Sequence, residues 1–118
     1  MKGLDYIQSK QIFWAKRNGL KLFGSQGNKG LPIYAETLDK NLFEPLTNES
    51  RQQFEAGDGG EINDNSKNPA KMRALHSSSA IAVNIFQYWN TINKVYQVAH
   101  SCGLCSKENQ TAEKVKFE

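Results

Sequence analysis

Two cysteines and two histidines in 118 residues leave few ligands for a soft metal and little scope for thiol chemistry. Cys102 and Cys105 form a single C-x-x-C. A zinc site takes four ligands, from two such pairs or from one pair plus histidines. Here both His76 and His100 would have to converge on the cysteines. A thioredoxin-like redox role needs a βαβ setting that the sequence does not supply. The pair reads as reduced cysteines at a helix end. No apolar run approaches the roughly 20 residues that span a bilayer. The N-terminus, MKGLDYIQSK, lacks the apolar core of a signal peptide. A cytoplasmic protein without a membrane partner is the expectation.

Phosphate and calcium loops are also missing. Gly24 to Pro32 (GSQGNKGLP) is rich in glycine and holds Lys29, but Gly30 stands where a Walker A loop needs Ser or Thr. It reads as a flexible or nucleic-acid-contacting loop. Gly57 to Asn68 (GDGGEINDNSKN) offers Asp58, Glu61 and Asp64 without the alternating acidic positions and final Glu of a calcium loop. It reads as a solvated loop.

What is present is enough for one domain with a single core: 38% hydrophobic and 23% charged residues, with net charge +3. The charge is uneven. Residues 1–31 hold six Lys/Arg against one Asp, residues 32–66 two basic against eight acidic, and residues 67–118 seven basic against three acidic. Two basic flanks around an acidic middle suit either nucleic-acid contact or internal charge balance on a solvated surface. Lys16, Arg17, Lys21, Lys29, Lys71 and Arg73 are the candidate phosphate contacts, although no segment has the dense packing of a basic arm.

Hydrophobic periodicity predicts a mainly α fold of three to four helices with long loops. Asp5 to Asn18 reads as a helix with Tyr6, Ile12, Phe13 and Trp14 as its apolar side, stopped by Asn18-Gly19. Asn48 to Ala56 is a short helix, capped by Thr47 or Asn48 and ended at Gly57. Asn68-Pro69 is a good helix start. Ala70 to Trp89 then reads as one long helix, or as two with a break near the serines. Ala80 to Trp89 is apolar almost all round and is expected to be the buried central helix. Thr91 to His100 continues as a helix, with Gly103 as its cap. Ser106 to Glu113 is polar and begins another helical turn or a loop. Lys114 to Glu118 (KVKFE) alternates as a strand would, yet five residues cannot form a sheet alone. The expected division is a helical domain over 1–113, with 114–118 as a short C-terminal strand or the start of a truncated further core.

The most informative segment is KMRALHSSSAIAVNIFQYW, residues 71–89. His76, Ser77, Ser78, Ser79 and Asn84 are polar groups set in an apolar run. Each would cost about 1–3 kcal/mol if buried without a partner. They form either a satisfied polar stripe in the helix packing or a contact with another domain or ligand. A Ser–His pair adjacent in sequence is a poor catalytic pair, because nucleophile and base must face each other in space.

KMRALHSSSAIAVNIFQYW, with the following helix and CGLCSKENQTAEKVKFE, resembles the N-terminal part of bacterial restriction endonucleases of the PD-(D/E)XK type. In that family a Leu-His-Ser-Ser-Ser-x-Ala-x-Asn-x-Phe stretch precedes the nuclease core. The likeness spans roughly residues 50–118, and the HSSSAIAVN stretch is its specific part. It implies a magnesium-dependent DNA endonuclease in full length, with DNA and a C-terminal nuclease domain as partners. No P-D…(D/E)-x-K motif occurs in this chain. Only Glu118 could correspond to an early acidic residue of the core, so the polypeptide alone is expected to be inactive. The alternative is a stand-alone helical interaction protein without catalysis.

Overall fold

The computed structural model describes residues 2–104, 106 and 114–118. Cys105, and with it the C-x-x-C pair, lies outside the described residues, as does nearly all of the polar stretch between Ser106 and Glu113. The chain is mainly helical, as the periodicity predicts. Helix α1 spans Gly3–Arg17, α2 Asn48–Ala56, α3 Ser78–Thr91 and α4 Val95–Ser101. Strand β1 (Leu22–Phe23) pairs antiparallel with β2 (Tyr34–Ala35).

Local chemistry sets the ends of α1. Asp5 in its first turn and Lys16 and Arg17 in its last complement the helix dipole. Gly19 takes φ 72° beyond the cap, and Leu20 N–H donates to Ala15 O at 2.9 Å, closing the turn. The predicted helix is present, but its inward face differs. Gln8, Ile12 and Ala15 are buried, while Tyr6, Phe13 and Trp14 are more than half exposed. Ile12 packs with Ile33, Tyr34 and Ala74 against the small sheet. Gly24 is required beside that sheet, since a Cβ there would meet the Tyr34 ring at 2.8 Å and φ is 75°.

Residues 68–77 depart from the predicted long helix. Lys71–Arg73 form a single 3₁₀ turn. Ala74 bridges Tyr34, and Leu75 N–H donates to Ile33 O at 3.0 Å. Backbone groups engaged in that long-range pairing cannot also serve a helix, so Asn68-Pro69 starts no helix and α3 begins only at the serines. Ser77 is its N-cap, its hydroxyl accepting from Ala80 N–H at 3.1 Å. At the far end Asn93 takes φ 55°, which separates α4 from α3 where a continuous helix was predicted. Gly103, at φ 75°, closes α4 with its N–H on His100 O.

The main core gathers Leu42, Leu46, Phe54, Ile62, Met72, Ala80, Val83 and Phe117. The C-terminal residues 114–118 run across it without strand pairing. Side-chain amides take the place of a neighbouring strand. Asn90 accepts from Val115 N–H and donates to Val115 O, both at 2.8 Å, and Gln53 Oε1 accepts from Phe117 N–H at 2.8 Å. The predicted alternation is thus real, with Phe117 buried and Lys114, Lys116 and Glu118 exposed. The Phe117 ring stacks on Phe54 at 5.4 Å between centroids. Among the described residues no helix is long and apolar enough to cross a membrane.

Candidate functional site

Helix α3 has two faces of opposite use. Ala80, Val83 and Gln87 recur at helical spacing and are buried. Ile81, Ile85, Tyr88 and Ile92 form a second stripe, 56%, 47%, 43% and 39% exposed. The expectation that Ala80–Trp89 is buried all round is therefore corrected. Among the described residues, the core clusters draw on one side of α3 and leave out Ile81, Ile85, Tyr88 and Ile92.

The buried side carries amides that hold loops. Gln87, 2% exposed, accepts from Thr47 N–H at 3.0 Å and donates to Pro45 O at 3.0 Å. Asn84 accepts from Phe43 N–H at 2.6 Å and faces Asn41 O at 3.4 Å. Asn90, a further turn along, clasps Val115. Asn41 in turn donates to Met72 O and Ala74 O, each at 2.8 Å. Sequence reading singled out Asn84 but missed Asn41, Gln53, Gln87 and Asn90. The spacing of Asn84, Gln87 and Asn90 along the side marked by Val83 was the available signal. Replacing Gln87 by Leu is expected to cost about 1–3 kcal/mol, because it strips partners from two backbone groups. A urea midpoint equal to that of the wild type would count against the clamp.

The HSSS segment lines a cleft of about 300 Å³ with Tyr34, Glu61, Lys71 and Ala74. Ser77 is buried and its hydroxyl is engaged as the α3 cap, whereas His76 and Ser78 are exposed and Ser79 half-buried. Among the described residues no hydrogen bond joins His76 to a serine, so the pairing that nucleophilic catalysis needs is not formed. The segment's first task is to start α3.

Of the six basic candidates, Arg73 is committed to the fold. Its guanidinium donates to Ala35 O at 2.9 Å, to Glu36 O at 2.9 Å and to both Asp64 oxygens at 2.9 and 3.0 Å, with the side chain 15% exposed. Lys71 lies 3.8 Å from Glu61. Lys16, Arg17, Lys21 and Lys29 are exposed, the first three within one short stretch at the end of α1.

The acidic residues of the 57–68 loop act as staples. Asp58 accepts from Gly60 N–H at 2.8 Å and Asp64 from Ala70 N–H at 2.7 Å. The bond from Ala70 and then the one from Arg73 hold the Asp64 carboxyl below its usual 3.8. A lowered folded-state pKa stabilises above the unfolded value and loses that contribution as pH falls through the folded one. Stability is therefore expected to decline as pH drops below the usual carboxylate range. Asp64→Asn should shrink that slope, modestly given 58% side-chain exposure. Urea titrations of both proteins from neutral pH to about pH 2 check this, and identical slopes would remove Asp64 as a source.

Among the described residues no group of three or more His, Cys, Asp or Glu is placed to hold a metal ion. Glu118 is 83% exposed and lies 3.6 Å from Lys116 Nζ. A magnesium ion needs an octahedral oxygen shell with clustered carboxylates, and among the described residues Glu118 belongs to no such cluster of three or more. Cys102 is exposed. No protein-family model, curated protein or solved structure matches the chain.

Proposed function

We propose that this chain is a non-catalytic helical module of a restriction-endonuclease-like protein, which packs through the outer face of α3 on a magnesium-dependent nuclease core formed by other residues. The observation that carries this reading is the Ile81/Ile85/Tyr88/Ile92 stripe. Four large apolar side chains on one helix face, outside the core clusters of the described residues, favour a protein interface. The HSSSAIAVN resemblance supplies the identity of the partner. Magnesium and its carboxylates belong, on this reading, to that partner, and the setting is cytoplasmic. DNA contact through the exposed Lys16, Arg17, Lys21 and Lys29 is a second contribution, favoured by the positive charge of residues 1–31. If the partner is instead an unrelated protein, the same face serves a stand-alone interaction protein.

The test starts from the DNA beyond the codon for Glu118. An open frame there with an Asp followed by Glu-x-Lys in β-rich sequence is expected. That segment, co-expressed as a separate chain, should co-purify with the wild type and not with Ile81→Glu/Ile85→Glu. A frame without those motifs would remove the nuclease-core partner and leave the interaction-protein reading. Equal recovery by both proteins would remove the α3 face from the interface.

A further inference from the structure

Among the described residues, the outer face of α1 belongs to neither core cluster, yet it carries the exposed rings of Tyr6, Phe13 and Trp14. Tyr6, Lys10, Phe13 and Arg17 recur at i, i+4, i+7 and i+11, with Trp14 beside them, so they lie along one side of the helix. Tyr6 is 54%, Phe13 63% and Trp14 57% exposed, and Lys10 and Arg17 are exposed too. Lys10 Nζ sits 5.4 Å from the Tyr6 ring centroid, which presents cation and ring together. Residues 1–31 hold six basic side chains against one acidic, so the complementary partner is an anion.

We propose that this face of α1 binds single-stranded nucleic acid, with Tyr6, Phe13 and Trp14 as stacking platforms and Lys10 and Arg17 on the phosphates. The inference rests on the nucleic-acid part of the reading above, and adds the surface and the form of strand. Unpaired bases stack on exposed rings in a sequence-tolerant way while cations track the backbone. Tyr6 and Phe13 are seven residues apart, about 10 Å along the helix, a span that more than one nucleotide can cover. Duplex DNA keeps its bases stacked on each other and offers rings nothing without being unstacked. An anionic membrane is the weaker match: a helix lying on lipid separates its charged and apolar faces, whereas here Lys10 and Arg17 share the stripe with the rings.

The test is fluorescence anisotropy of the full chain with labelled oligo(dT) and oligo(U) of about fifteen nucleotides, a mixed-sequence duplex, and phosphatidylserine vesicles, each across a salt series. Binding to both oligonucleotides is expected, weakening steeply with salt and exceeding binding to the duplex. Tyr6→Ala/Phe13→Ala should weaken it at least about tenfold with an unchanged melting temperature. Lys10→Gln/Arg17→Gln should flatten the salt dependence, and gives a second variant if the first folds poorly. Duplex binding equal to or tighter than oligo(dT) overturns the inference while leaving DNA contact standing. No binding to any nucleic acid overturns both. Vesicle binding without oligonucleotide binding assigns the face to lipid and overturns the inference, as does unaltered binding by either variant.

Discussion

Phe54→Ala is expected to remove about 3–5 kcal/mol of stability, the usual cost of deleting a buried aromatic side chain, out of a total that for such a domain is about 5–15 kcal/mol. Phe54 is 6% exposed and lies where α2, α3 and the C-terminal segment meet. Its ring stacks on Phe117 with an interplanar angle of 13°, so the substitution opens a cavity and also removes the anchor of residues 114–118. Among the described residues, that segment is also tied by Val115 packed on the core, by the Asn90 and Gln53 amides and by a solvent-exposed Lys114–Glu49 pair at 2.9 Å, which is worth little by itself. Equilibrium urea unfolding checks the magnitude. The amides of Val115 and Phe117 should also exchange faster in the variant. A loss below about 1 kcal/mol would mean that Phe54 is not central to the core.

Met72→Ala is expected to cost about 2–5 kcal/mol. Met72 is fully buried and belongs to the cluster that joins α2, α3 and the Phe117 segment. Its backbone is fixed on both sides, N–H to Glu61 O at 2.9 Å and carbonyl to Asn41. The 3₁₀ turn therefore cannot slide inward to fill the space, which favours the upper part of the range. Met72→Leu, which nearly conserves volume, should cost under about 1.5 kcal/mol. Thermal or urea unfolding of the two variants side by side tests this, and equal losses would show that volume is not what Met72 contributes.

Met72 also marks where sequence reading falls short. Asn68-Pro69 offers a good N-cap and first-turn residue, yet only the 3₁₀ turn Lys71–Arg73 follows. The reason is the bridge from Ala74 to Tyr34 across forty positions of chain, which local patterning does not report. The caps were more legible. Thr47 accepts from Ser50 N–H at 3.1 Å, one of the two alternatives predicted for α2. α1 was found within two residues, but its inward side was misassigned. Apolar rank pointed to Phe13 and Trp14, whereas close packing on a small sheet selects Ala15 and Ile12 and turns the rings outward. The KVKFE alternation is present in the burial of Phe117 between exposed Lys116 and Glu118, but residues 114–118 form no strand. What could not be read was that amides 25 and 64 positions away would stand in for a partner strand.

The same division applies to the functional side chains. Ser77 and Asn84 proved to be satisfied members of the α3 packing, as a polar stripe would be. Arg73, a candidate for phosphate contact, is instead the tie between the sheet and the 57–68 loop. Its four donations are all to distant partners, and charge patterning carries no record of them. The apolar density of Ala80–Trp89 was plain in the sequence. That Ile81, Ile85 and Tyr88 face outward follows only from the core and the amide stripe claiming the other sides of the helix.

Urea unfolding of Ile81→Glu/Ile85→Glu against the wild type tests most directly whether that outward face is free for a partner. A midpoint within the range of surface substitutions, about 0.5 kcal/mol either way, is predicted, because among the described residues neither side chain belongs to a core cluster. A loss above about 2 kcal/mol would show that Ile81 and Ile85 are core residues here, and would contradict the docking role assigned to α3.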